Sequence, residues 1–404
     1  MNQAAISRLL VACGAALAAA TVLAAEPIRI GISITQSPPG SVVQGTQVKD
    51  GVEIVKDMVN KAGGVLGRPI ELVYEDDQGI PEKGRAAAEK LITVDKVVAI
   101  TGAHQSSVCL AAIEVAKRYN IPYVNTNCWA DAVRTKGYAN VFSAPIYSSR
   151  VAESVAETLG KLGAKNIVAF AENTDYGIGQ AKAIGAALAK MPGVTYRYET
   201  LDRAGKDFTP AILPLRANPP DAVLMAMLPP PAYTVINELY EQGVAPTAKT
   251  WLYDTSGLAD YPDFWQNVKQ GAVDMLNFAL YHPAMKQPPL AAEVAEAYKQ
   301  RTKNNPNRLI FQAADSLLFI VDAIKEAKST DPAAMIAAME KMKFTGTRGT
   351  FTISSTPGPT YHQMMDVPTV TYQITAVNQP IGQTTLLEGP GMPLDLAKLK
   401  RPAK

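Results

Sequence analysis

From Ile28 to Asp254 the sequence repeats one unit, a short apolar run followed by a stretch whose apolar residues recur every three or four positions. IRIGISIT alternates with a period near two, whereas Val48, Val52, Val55 and Val59 in QVKDGVEIVKDMVNKAGG recur at helical spacing and stop at glycine. IELVYED, PEKGRAAAEKLITVD, VVAITG, SSVCLAAIEVAKRYN and PYVNTN continue the alternation. Repeated strand–helix–strand units imply a parallel sheet with helices on both faces.

A second set starts after VFSAPIYSS, with strands predicted at NIVAFAEN, VTYRYET, AVLMAML and TWLYD and helices between them. The tail adds two long helices (LAAEVAEAYKQRTKN and FQAADSLLFIVDAIKEAK), a third in PAAMIAAMEKM, and strand-like GTFTIS and VTYQITAVNQ. Its helices complete the first half and its strands extend the second. The expected fold is α/β, two Rossmann-like lobes joined by a multi-strand hinge. The lobes are expected to comprise residues 26–145 plus 279–351 and residues 146–278 plus 352–404. In such sheets ligands bind beyond the strand carboxyl ends, so the cleft is expected between the lobes.

Residues 1–25 read as a secretory signal peptide: MNQAAISR precedes LLVACGAALAAATVLA, an uncharged apolar run ending in small residues. The sequence around Cys13 faintly resembles a lipobox, but the apolar run before it is short. An exported chain is expected in the periplasm, an oxidising compartment. There Cys109 and Cys128 either pair or remain buried thiols. Lysine plus arginine (39) nearly balances aspartate plus glutamate (37), with no basic block, so no nucleic-acid or anionic-membrane partner is expected.

The three histidines, His104, His282 and His362, are far apart, and each reads more readily as a structural hydrogen-bonding residue than as a base or ligand. GxSxG, HExxH, GxxxxGK[ST] and CxxC are all absent. The adjacent acids Asp76 and Asp77 at a strand end read as solvated or capping groups. No enzyme activity, cofactor or metal is expected.

GAHQSSVCLAAIEVAKRYNIPYVNTN, NTDYGIGQ and KDGVEIVKDMVNKAGGVLGRPIELVYEDD resemble the type I periplasmic binding proteins. The resemblance is to the branched-chain amino acid and related carboxylate binders of ATP-driven (ABC) importers, and it covers nearly all of the mature chain. It implies a clamshell that captures a small carboxylate and delivers it to permease subunits, with a monomer expected. By the same resemblance Ser106, with Ser107 beside it, receives the ligand carboxylate at a helix start. Either serine also fits a plain N-cap role. Asn127 and Trp129 fall where the family uses loop groups two positions apart, Tyr176 matches the second-lobe tyrosine, and Gln44 falls where the family often has a first-lobe tyrosine.

Two alternatives stay open at WLYDTSG. Asp254 either pairs with a ligand ammonium, favouring an amino acid, or caps the next segment with Thr255 and Ser256, favouring an amine-free acid. In the second case Trp129, with Tyr253 and Tyr176 near it, stacks on a flat or aromatic acid. Trp129 and Tyr253 otherwise pack in the core. A ligand-sensing receptor subunit is the alternative to an importer, and a secreted α/β enzyme is the rival of a different kind.

Overall fold

The computed structural model describes residues 26–402, so the signal-peptide reading and Cys13 lie outside the described residues. The first lobe begins with β1 (Ile28–Ile34), α1 (Val42–Lys61), β2 (Ile70–Asp76), α2 (Pro81–Thr93) and β3 (Ala99–Gly102). It continues with α3 (Ser106–Tyr119), β4 (Tyr123–Asn125), the short α4 (Ala132–Thr135) and β5 (Val141–Ser143). These five strands form one parallel sheet in the order β2-β1-β3-β4-β5. Strand order reverses beside β1, so the loops after β1 and β3 diverge to opposite faces and leave a crevice at their carboxyl ends.

The second lobe runs through α5 (Ser148–Lys161), β6 (Asn166–Glu172), α6 (Asp175–Leu188), β7 (Thr195–Leu201), α7 (Thr209–Ile212), α8 (Pro214–Ala217) and β8 (Ala222–Ala226). It proceeds with α9 (Pro231–Glu241), β9 (Trp251–Asp254), α10 (Phe264–Asn267) and β10 (Leu276–Ala279). The chain then returns to the first lobe for α11 (Pro289–Thr302), α12 (Arg308–Ala327), α13 (Pro332–Lys341) and the hairpin β11 (Phe344–Gly346)–β12 (Gly349–Phe351). It ends with β13 (Val370–Gln373) and β14 (Thr385–Glu388) on the second sheet, whose order is β14-β13-β10-β9-β8-β6-β7. β13 joins β10 antiparallel, and the reversal of strand order in this lobe falls beside β6.

Each sheet is buried on both faces. In the first lobe Val48, Val52 and Val55 of α1 pack with Ile310, Leu317 and Phe319 of α12 over Ile28, Ile30 and Ile32, while Leu91, Val108 and Ile113 fill the other face. In the second, Val155 and Leu159 of α5 and Ile184 of α6 cover one face, and Ile236 and Leu239 of α9 cover the other. Asp76 caps its loop as expected, accepting from Gln36 N and Gln78 N, while Asp77 is buried under Ser33 and Thr35 hydroxyls.

Two details differ from the sequence reading. GTFTIS does not extend the second sheet, because β12 pairs with β11 and Phe344 and Phe351 pack in the first core. The third lobe crossing also lies later than residue 352: Ile353 bridges Met364, Met364 sits in the first core, and Ser143 N donates to His362 O. A strand-like signal carries no information about which sheet will accept it.

Candidate functional site

The two carboxyl edges face each other, and the loops at both strand-order reversals meet. Gly102 ends β3 at φ +107°, where a Cβ would stand 2.2 Å from Ser33 O, so only glycine lets this turn lie against β1. That turn delivers His104. In the second lobe Thr174 caps α6 by accepting from Gly177 N, and a Cβ on Gly177 would stand 2.3 Å from Glu172 O. That close approach sets Tyr176 at the lobe's edge.

Between the lobes His104, Asn127, Trp129, Tyr176, Leu228, Ser256 and Arg308 enclose a cavity of about 10 Å³. This is room for about one water. Arg308 fills the rest of the space. Its guanidinium lies over the rings of Trp129 (5.2 Å) and Tyr261 (5.3 Å), Nη1 donates to Asn127 Oδ1 (3.1 Å), and Nη2 donates to Ser256 O (3.0 Å) and Tyr261 Oη (2.9 Å). Nε stands 2.9 Å from Asp260 Oδ2. Arg308 belongs to the first lobe, whereas Ser256, Asp260 and Tyr261 belong to the second.

Asn127 organises the first-lobe side. Its Oδ1 also accepts from Trp129 Nε1 (3.1 Å), so its amide nitrogen is the donor to His104 Nδ1 (2.7 Å). This assigns the proton to His104 Nε2, which donates to Tyr261 Oη at 3.3 Å. Burial, then the charges of Arg308 and Arg203, holds the imidazole well below its usual pKa, so it is neutral. Tyr176 Oη donates to Ser256 Oγ (2.8 Å), and its ring meets Trp129 edge-on at 6.2 Å.

The acids of the cleft are engaged. Asp254 Oδ1 accepts from Ser256 N (2.8 Å) and Oδ2 from Leu258 N (2.6 Å), and burial pushes its pKa up to about 7. Of the two arrangements open at WLYDTSG, the structure shows the cap. Glu172 accepts from Leu228 N, Thr174 Oγ1 and Arg203 Nη1. Burial lifts Asp260 to about 6 against the pull of Arg308; neither of its oxygens has an aligned hydrogen-bond partner among the described residues, and Oδ2 is held by the ion pair with Arg308 alone.

Of the candidate residues, Asn127, Trp129 and Tyr176 line this one cavity, and the others lie outside its lining. Ser106 is the first residue of α3, not its N-cap, and its hydroxyl accepts from Ala130 N (3.1 Å), pinning the loop that carries Trp129. Ser107 Oγ accepts from Asp175 N across the cleft (3.3 Å). Gln44 is buried in the first turn of α1 and does not line the cavity. Tyr253 is a core residue bonded to Thr371, and Trp129, while lining the cavity, is also packed in the second-lobe core with its face covered by Arg308. Cys109 and Cys128 form a disulfide (Cα–Cα 6.5 Å) that ties α3 to the Trp129 loop.

Sequence reading missed Arg308, Asp260 and Tyr261. A signal was present in NPNRLIFQAAD: asparagine caps a strongly apolar helix whose first residue is a cation, placed where the helix dipole disfavours positive charge. A cation there calls for a buried partner.

Related proteins share this architecture. "Leu/Ile/Val-binding protein homolog 3" of Brucella melitensis is 26% identical over 312 residues, 77% of this chain and 82% of its own. The branched-chain amino acid transporter substrate binding protein of Streptococcus pneumoniae, solved with isoleucine, superposes with a TM-score of 0.77 at 21% identity, covering 90% of this chain and 100% of its own. An ABC-transporter solute binding protein of R. palustris, solved with 4-hydroxybenzoate, gives 0.79 at 20% identity, covering 90% and 97%. The family model for periplasmic binding proteins matches residues 27–372, and with two Rossmann-like lobes meeting at their strand ends the chain belongs to the periplasmic binding protein family, in its type I, Leu/Ile/Val-binding-like branch.

Proposed function

We propose that this chain is an exported solute-binding protein that captures a small, amine-free carboxylate, of aromatic or aliphatic type, between its lobes and delivers it to an ABC permease. The observation that carries the ligand class is the placement of Asp254: its carboxylate oxygens each accept a backbone N–H and the residue does not line the cavity, so the loop presents no acid there to an ammonium. Arg308 is the cation that meets the carboxylate. Its Nη donors, now spent on Ser256 O, Tyr261 Oη and Asn127 Oδ1, suit a planar two-oxygen acceptor. Trp129, Tyr176 and Leu228 supply the apolar walls. Lobe opening admits the ligand, and closure follows from contacts made in the closed state alone.

One observation favours a second reading. Asp260 Oδ1 is buried without a hydrogen-bond partner, so an amino-acid zwitterion inserted between Arg308 and Asp260 would find an acceptor for its ammonium. A thermal-shift screen of the mature protein separates the two, because a ligand selective for the native state raises its melting point. Stabilisation by benzoates, keto acids or aliphatic acids is expected. Stabilisation by amino acids but not their deaminated analogues transfers the assignment to the zwitterion reading, and stabilisation by neither class overturns the proposal.

A further inference from the structure

A second cavity, of about 280 Å³, lies apart from the cleft at the hinge. That volume is close to the ~300 Å³ at which small-molecule sites begin. Its walls come from the second crossing (Leu280, Met285), the third (Pro368) and the C-terminal segment (Leu386, Met392). None of the residues that line it is acidic, and two are cations, Arg348 and Lys286.

Arg348 is the unusual member. Its side chain is 4% exposed; Nε donates to Asp315 Oδ2 (2.7 Å) and Nη2 to Ala144 O (3.0 Å) in the first crossing. Nη1 has no hydrogen-bond partner among the described residues. A buried guanidinium N–H without an acceptor is costly, and native proteins supply one from protein, water or ligand. Asp315 does not fill that role: its Oδ1 accepts from Thr347 N and Thr347 Oγ1, its Oδ2 accepts from Arg348 Nε, and no hydrogen bond reaches either oxygen from Nη1. Lys286, exposed at the rim, forms no ion pair among the described residues.

We infer that this hinge cavity is a second binding site, for a small amphipathic monocarboxylate whose head reaches Arg348 Nη1 and Lys286 and whose apolar body lies against Met285, Leu386 and Met392. The apolar walls exclude a bare inorganic anion as the best fit, and the two cations exclude a neutral lipid. The site shares no lining residue with the cleft.

Isothermal titration with octanoate tests the inference, with octan-1-ol as the uncharged control. Saturable octanoate binding is expected, at least tenfold tighter than that of the alcohol. Met392→Trp, which fills the cavity from a partly exposed position, and Lys286→Glu, which reverses a surface charge, each lower octanoate affinity at least tenfold. Neither substitution touches the interlobe cleft, so the ligand response there stays at wild-type strength. Octanoate affinity within twofold of wild type in both variants, or no saturable heat with the wild-type protein, overturns the inference.

Discussion

Arg308 Nε stands 2.9 Å from Asp260 Oδ2 across the interlobe cleft, and the two side chains are 1% and 0% exposed. The first lobe's α12 thereby carries a charge whose partners lie on the second lobe. Arg308 Nη2 also crosses to Ser256 O and Tyr261 Oη, while Nη1 stays with Asn127 Oδ1 of its own lobe, and Asn307 Nδ2 donates to Asp260 O. Closure and charge satisfaction are the same event at this point. Opening the lobes returns both groups to water, which offsets part of the loss.

Arg308→Met leaves Asp260 buried and unpaired in the closed state. We expect a loss of about 3–5 kcal/mol in unfolding free energy, the range for breaking a buried pair. Arg308→Met combined with Asp260→Leu recovers most of it, as read from urea unfolding in a double-mutant cycle. Additive losses in the double variant would show that the pair is not coupled. Either arginine variant also lowers carboxylate affinity by roughly 1.5–3 kcal/mol.

Ser106→Ala removes the acceptor of a buried backbone N–H, that of Ala130. The expected effect is a stability loss of about 1–3 kcal/mol. Urea denaturation measures it, and an unchanged midpoint would mean that the Trp129 loop does not depend on this bond.

Asp254 and Asp260 both titrate above the ordinary aspartate range, at about 7 and about 6, because burial disfavours their charged forms. An acid with a folded pKa above its unfolded value of ~3.9 binds more protons in the native state, so stability falls as pH rises from about 4 to about 7. Each group contributes a slope of at most ~1.4 kcal/mol per pH unit. Asp254→Asn is expected to flatten the fall measured between pH 4.5 and 7.5, and an identical fall in variant and wild type would contradict the assignment.

The Cys109–Cys128 bridge closes a short loop, with a sequence separation of 19. On the chain-entropy model such a bridge contributes about 3 kcal/mol. Cys128→Ser, or reduction of the wild-type protein, should lower stability by that order in guanidinium unfolding. No effect of reductant would mean the thiols are unpaired in solution.

Much of this protein is written locally. A period of two followed by a period near four, repeated along the chain, determines two sheets with parallel cores covered by helices, and strand ends determine which loops face the cleft. Asn127, Trp129 and Tyr176 were legible through the family resemblance, whereas the export signal left Cys109 and Cys128 open between a bridge and two buried thiols until the fold brought them together. Ser106 was legible as a helix start, but its bond to Ala130 depends on how the loop after β4 folds back. Asp254 could serve as cap or counter-charge until the turn after β9 was in place, since both uses need the same residue type at the same position. Arg308 was beyond reach: its helix announces itself by periodicity, but its charge is satisfied by Asp260, Ser256 and Tyr261 from the other lobe. Periodicity records which side of an element is buried; only the packing of two lobes decides which buried charges meet.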